Sequence, residues 1–165
     1  MVDALRAGLP AVLLREDDAD WASDLAAAGF APAQVIVHAR VPGALALCAP
    51  HGWGLHLPDV DLPTRIAEAR LRVTGLLGAS THSVEDARAA LAAGADYAFI
   101  SPIWTPGSKP DDMRPTLGPG VFASLRGLPV LALGGVTPER EIVARAAGAW
   151  GGAGVGGMFG RRERA

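Results

Sequence analysis

The sequence predicts an α/β fold of repeated strand–helix units, arranged as a (β/α) barrel. Three observations predict it. Short apolar runs recur at intervals of roughly 20 residues. Segments with helical stripes and caps separate those runs. The runs are apolar nearly throughout, as strands of a parallel sheet covered on both faces are. An open doubly wound sheet is the competing arrangement. No Gly-x-Gly-x-x-Gly follows an early run, so its dinucleotide-binding form has little support.

In chain order the expected strands are AVLLR (11–15), QVIVH (34–38), WGLHL (53–57), TGLLGAS (74–80), YAFIS (97–101), PVLALGG (129–135) and GGAGVGG (151–157). The last is the weakest, because glycine disfavours strands. Of the helices, HSVEDARAALAAGA is the clearest. Ser83 sits where an N-cap belongs, Asp86 follows three residues on, Val84, Ala87 and Leu91 form the apolar stripe, and Gly94 ends it. In TPEREIVARAAGA, Thr137 caps, Pro138 takes the first helical position and Gly148 stops the helix. The segments AAGADYAFIS and AAGAWGGAGV repeat one helix–Gly–strand hand-over, which supports a repeated unit.

The composition fits one globular domain spanning residues 1–165, with half of the residues hydrophobic and a formal net charge of −2. That balance argues against a nucleic-acid partner. The single cysteine, Cys48, rules out an internal disulfide and a cysteine-rich zinc cluster. No signal-peptide core and no apolar run of about 20 residues occurs, so a cytoplasmic protein away from the membrane is expected. The terminal RRERA reads as a frayed end.

In barrels and doubly wound sheets alike, chemistry collects beyond the C-terminal strand ends. Here those ends carry Arg15-Glu16-Asp17, His38-Ala39-Arg40, Asp59 and Asp61, Ser80-Thr81-His82, a long loop with Ser108 and Lys109, and the pairs Gly134-Gly135 and Gly156-Gly157. Glycine lets backbone N–H groups approach an anion, and the capped helix after Gly135 adds partial positive charge. Phosphate binding is therefore favoured over a purely steric role in tight turns. Lys109 supplies a cation from the loop or is a solvated surface lysine. His82 is the best proton-transfer candidate, since histidine titrates near neutrality; its alternative is a residue that merely flanks the Ser83 cap. Asp59 and Asp61 could hold magnesium, but a turn and N-cap ahead of Pro63 is the stronger reading. Trp104 could cover a ring-shaped ligand.

The segments GLHLPDVDLP, GASTHSVEDARAALAAGADYAFISPIWTPGSKP and LPVLALGGVTPE resemble the thiamine phosphate synthase / TenI family in order and spacing, almost the whole chain through. The resemblance implies a TIM (β/α)8 barrel that binds a thiazole phosphate. Two activities occur in the family. The synthase joins hydroxymethylpyrimidine diphosphate to thiazole phosphate with magnesium and releases diphosphate. The TenI-type tautomerase needs no cofactor and aromatises a carboxythiazole phosphate by moving a proton.

Carried over residue by residue, the resemblance separates the two. Arg15 is kept, but Leu13 and Asp17 replace the Gln and Lys that flank it in the synthase. His38 and Ala39 replace the Asn and Asp of the next motif, with Arg40 retained. Only Asp61 matches the following carboxylate, and Pro106 replaces a Thr of the loop in which Ser108 and Lys109 fit as anion ligands. The Ser80-Thr81-His82 segment is intact, and Gly156 stands for a Ser. The magnesium and diphosphate half is thus depleted, while Ser80, Ser108, Gly134, Gly135, Gly156 and Gly157 preserve the thiazole-phosphate half. His82 falls at the tautomerase's proton-transferring position. The expected function is a TenI-like tautomerase, with the synthase and a non-catalytic phosphate-ligand binder as alternatives. The resemblance also implies a strand ahead of VDALRAG and a helix after the last strand, neither of which the chain displays. Three expectations stay open: a truncated or mis-started chain, a barrel closed by seven strands, or a partner chain, such as a second copy, covering the seam.

Overall fold

The computed structural model describes residues 2–15, 19–105 and 114–154. Among them lie strands β1 (Val12–Leu14), β2 (Val35–His38), β3 (Gly54–Leu57), β4 (Leu77–Thr81), β5 (Tyr97–Ile100), β6 (Val130–Ala132) and β7 (Gly151–Gly152). The helices are α1 (Val2–Arg6), α2 (Ala19–Ala27), α3 (Ala44–Cys48), α4 (Leu62–Arg70), α5 (Val84–Ala92) and α6 (Pro138–Ala147). Each expected strand overlaps an observed one. The run at 74–80 starts its strand only at Leu77 and carries it to Thr81, and among the described residues of the glycine-rich run Gly151 and Gly152 are strand.

Strands β1 to β4 pair parallel in succession, as do β5 to β7, and the sheet follows chain order throughout. A doubly wound sheet reverses its order partway. Unbroken chain order is that of the (β/α)-barrel class. The strands β2, β3 and β5 are buried along their whole length, as their continuous apolar pattern requires.

The chain forms two compact units, one of residues 1–79 and 90–96, the other of residues 80–89 and 97–165. In the first unit, Leu14, Leu25, Val35, Val37, Leu55, Ile66 and Leu77 belong to one buried core cluster. Asp96 fastens its lower rim: the carboxylate accepts from the Leu77 N–H at 2.7 Å and from Arg70 at 2.7 Å, and Arg70 also donates to the Gly94 carbonyl at 2.8 Å. In the second unit, Ile100, Phe122, Leu125, Val130 and Ala144 are fully buried.

The helix signals hold at atomic detail. The Asp86 N–H donates to Ser83 Oγ at 3.0 Å, and the Ser83 hydroxyl donates to the Asp86 carboxylate at 2.7 Å. Thr137 Oγ1 accepts from the Arg140 N–H at 3.3 Å. Gly148 ends α6 at φ 121°, its N–H donating to the Ala144 and Arg145 carbonyls at 3.1 and 3.0 Å.

Candidate functional site

In the second unit the polar groups at the ends of β4, β5 and β6 converge. Thr81, fully buried, donates its hydroxyl to the Phe99 carbonyl at 2.8 Å, and the Ser101 N–H donates to the Thr81 carbonyl at 3.1 Å. These bonds pin the end of β4 to β5 and fix the next residue, His82. The His82 Nδ1 lies 2.6 Å from the Ser101 carbonyl oxygen. A carbonyl only accepts, so Nδ1 carries a proton. The other ring nitrogen, Nε2, lies 3.4 Å from Arg114 Nη1. A guanidinium only donates, so this contact meets the Nε2 lone pair. His82 is therefore anchored through Nδ1 on the Ser101 carbonyl, with Nε2 beside the Arg114 guanidinium. Ser83, not His82, caps α5.

The loop after β5 is laced to its neighbours by backbone bonds. Ile103 and Trp104 donate to the Leu133 and Gly134 carbonyls at 3.0 and 3.1 Å, while Leu117 and Gly118 donate to the Pro102 and Ile103 carbonyls at 2.9 and 3.1 Å. Gly134 and Gly135 have φ of 89° and 63°, where a side chain is strained. A Cβ on Gly134 would stand 2.9 Å from Pro102 Cα, and one on Gly135 would stand 2.7 Å from the Thr105 carbonyl oxygen. So this glycine pair answers a steric need of the loop as well as facing the N-terminus of α6. Arg140, in the first turn of α6, donates to the Gly135 carbonyl at 2.7 Å and lies 5.4 Å over the Trp104 ring. Trp104 thus serves Arg140 here. Ser80 is half-buried one residue before the pinned Thr81. Ser108, Lys109, Gly156 and Gly157 lie outside the described residues, as do Asp17, Pro106 and the terminal RRERA.

The first unit carries a different set. Arg15 follows β1 and is exposed. Register places His38 of β2 opposite His56 of β3, their ring centroids 5.6 Å apart and both rings buried. His38 Nδ1 accepts from the Arg40 N–H at 3.1 Å. Burial, then the charges of Arg15, Arg40 and Arg65, lower the His38 pKa to about 4. Burial, then His38 and Arg15, lower that of His56 to about 3. Asp61 occupies the N-cap position of α4 at φ 48°, yet its side chain caps no backbone N–H; its carboxylate accepts instead from the Thr64 hydroxyl at 3.4 Å.

These residues do not fit magnesium. That ion wants several hard oxygen ligands. Here the strand ends offer neutral imidazoles in a field of arginines, and among the described residues no group of three or more His, Cys, Asp or Glu side chains could hold a metal. Asp61 stands as one exposed carboxylate.

Sequence reasoning missed Arg114, Arg140 and the pairing of His38 with His56. Only Arg140 had a local signal, its place three residues after the Thr137 cap. The other contacts arise from strand register and loop return.

Fold and geometry define an α/β protein of the (β/α)-barrel class with an anchored histidine at a strand end. The family model described as thiamine monophosphate synthase matches residues 1–158, and the chain belongs to that family. The thiamine-phosphate synthase of Moorella thermoacetica is 34% identical over 88% of this chain and 72% of its own length. That of Geobacillus thermodenitrificans is 38% identical over 58% of this chain and 44% of its own. The chain spans 26% to 60% of the lengths of the first four curated relatives that it matches. The solved thiamine phosphate pyrophosphorylase of Pyrococcus furiosus superposes with a TM-score of 0.66 at 20% identity, over 93% of this chain and 76% of that one, which shows the fold. Among the described residues no helix is long and apolar enough to cross a membrane.

Proposed function

We propose that this chain acts in thiamine biosynthesis on a thiazole phosphate, as a TenI-like tautomerase. The observation that carries this reading is the placement of His82: Nδ1 donates to the Ser101 carbonyl at 2.6 Å, and Nε2 lies 3.4 Å from the Arg114 guanidinium. A tautomerisation needs one group that takes a proton at one ring position and returns it at another. Nε2 takes the proton from the carbon of the unaromatised ring, the imidazolium holds it while charge delocalises over the ring, and the same nitrogen delivers it at the second position. No atom is gained or lost. Throughout, the Ser101 carbonyl keeps the imidazole oriented and stabilises its cationic form.

The substrate phosphate is assigned to the Gly134-Gly135 turn, at the N-terminus of the ten-residue α6, with Arg140 as the nearby cation. Ser80, Ser108, Lys109, Gly156 and Gly157 complete the anion site, and Arg15 serves a phosphate at the β1 end. The protein needs no metal for this chemistry.

The names of the relatives favour a second reading, thiamine phosphate synthase, a transferase that would use magnesium with Asp61 as a ligand. Two assays on purified protein separate the readings. One contains hydroxymethylpyrimidine diphosphate, thiazole phosphate and magnesium, and thiamine phosphate is followed. The other contains the carboxythiazole phosphate without metal, and aromatisation is followed by absorbance. The expected result is turnover only in the second. In the His82→Ala variant that turnover falls by about 10²- to 10⁴-fold, the usual weight of a general acid–base group. Thiamine phosphate formation in the first assay would establish the synthase instead.

A further inference from the structure

We infer that the first unit carries a metal-independent site for a phosphate-type dianion, formed by the imidazole of His38 and the guanidinium groups of Arg15, Arg40 and Arg65. This rests on the reading that gives Arg15 a phosphate, and it adds three residues to that role.

Strand alternation sets the placement. In β1, β2 and β3, the residues Val12, Leu14, Val35, Val37, Leu55 and Leu57 belong to the buried core cluster. Successive side chains of a strand point to opposite faces. His38 and His56 therefore share the other face of the sheet, and Arg15, one residue past β1, follows on the side of Leu13. Register pairs Leu14 with Val37, His38 with His56 and His56 with Gly78. Arg15 thus comes level with His38, and the row ends at a residue with no side chain.

His38 is the centre of the row and is 4% exposed. Its Nδ1 accepts from the Arg40 N–H at 3.1 Å, so the proton of the neutral ring sits on Nε2. Burial, then the charges of Arg15, Arg40 and Arg65, keep the ring neutral at physiological pH. Nε2–H is therefore a donor, and among the described residues it meets no acceptor. No fully buried side-chain nitrogen or oxygen among those residues goes unpartnered, so Nε2 reaches solvent. A buried ring with its one free donor turned to solvent is placed to receive an acceptor.

That acceptor is anionic. Arg40 follows β2 by two residues, and Arg65 lies near the start of α4. Among the described residues no carboxylate forms an ion pair with Arg15, Arg40 or Arg65. The charges that act on His38 are all arginine; those of Asp59 and Asp61, on the β3–α4 connection, are not among them. Such a field repels a metal cation and attracts an oxyanion. Three guanidinium forks and one N–H offer more donors than the two oxygens of a carboxylate can use. A phosphate group has three terminal oxygens and a second charge to match them. Arg15 and Arg40 are exposed, so their guanidinium groups can close over an anion that rests on the imidazole.

The test titrates the full-length chain, labelled with ¹⁵N-histidine, with inorganic phosphate and with thiazole phosphate, in EDTA at neutral pH. The His38 signals are identified by their loss in His38→Asn. The expected result is a saturable movement of the His38 Nε2 resonance without magnesium. Arg40→Ala and Arg65→Ala should each weaken the affinity read at that resonance by about 10- to 100-fold, the weight of one charge-assisted interaction, with partial recovery in the Lys variants. Arg40→Gln and Arg65→Gln serve where alanine lowers the urea midpoint. Movement with inorganic phosphate alone assigns a free anion, and movement with thiazole phosphate assigns the ester. A His38 resonance that neither ligand moves, unchanged affinity in both arginine variants, or binding that appears only with magnesium overturns the inference. Phosphate held only at the Gly134-Gly135 turn gives the first of these outcomes. The tautomerase reading fails separately, on unchanged aromatisation in His82→Ala.

Discussion

His38 and His56 are two imidazoles buried side by side at the ends of β2 and β3, and each is held far below the ordinary histidine pKa of about 6.5. The first cause is burial, which penalises the imidazolium; neighbouring arginines add to it at His38. The consequence for stability has a definite sign. Between about pH 6.5 and the folded values near 4 and 3, the unfolded chain binds protons that the folded chain refuses. The contribution is complete above about pH 6.5 and is lost as pH falls through that window. Each histidine contributes a slope of at most about 1.4 kcal/mol per pH unit. The expected outcome is a urea midpoint that declines steadily from pH 6.5 to 4.5, with a shallower decline in His38→Asn. A midpoint flat across that range would sink this account. Local sequence could mark His38 as a strand-end residue but could not pair it with His56, because the pairing is set by β2–β3 register. His82 was legible for the opposite reason: its neighbours Ser80-Thr81 and Ser83 carry strand-end and cap signals of their own. Arg114 was not legible, since it meets His82 from 32 residues further along the chain.

Among the elements, the α6 start joins fold to site. Thr137 accepts from the Arg140 N–H, Pro138 opens the helix, and Arg140 reaches back to the Gly135 carbonyl. A cap of this kind is worth about 1 kcal/mol. Thr137→Ala should lower stability by that amount in denaturant titration and leave the glycine turn in place. The turn itself is less forgiving. Gly135→Ala would place a methyl against the Thr105 carbonyl at a positive φ, and the backbone must shift to admit it. The expected cost is roughly 1–3 kcal/mol, with phosphate affinity lost along with it. A Gly135→Ala protein of unchanged stability would show that the loop after β5 yields more easily than its backbone bonds imply. Strands and helix caps were readable because they rest on residues within a turn or two of each other. The glycine pair was only half readable. Its anion-binding use was inferred from the helix behind it, whereas its steric need comes from Pro102 and Thr105, in a loop far earlier in the chain.

For the molecule as a whole, chain-order strand pairing was expected from the repeated apolar runs, since each strand–helix unit in a (β/α) barrel adds the next strand alongside the last. The family follows from the family match, and that match does not by itself choose between two chemistries. The proposed tautomerase reading rests on the donor set. A synthase must neutralise a diphosphate, and in water magnesium does so through hard oxygen ligands. In this chain His38 and Ala39 stand where the family resemblance expects Asn and Asp, and the buried imidazoles nearby stay neutral. Magnesium alone should therefore produce no shift in melting temperature and no calorimetric binding at millimolar concentration, and chelator should leave aromatisation of carboxythiazole phosphate unchanged. A ligand that binds only the folded state at 100 times its Kd adds about 2.7 kcal/mol, so even a site of modest affinity would register in such a scan. A magnesium-dependent rise in melting temperature that disappears in Asp61→Asn would mean that Asp61 gathers ligands from elsewhere in the chain, and the balance would then move to the synthase.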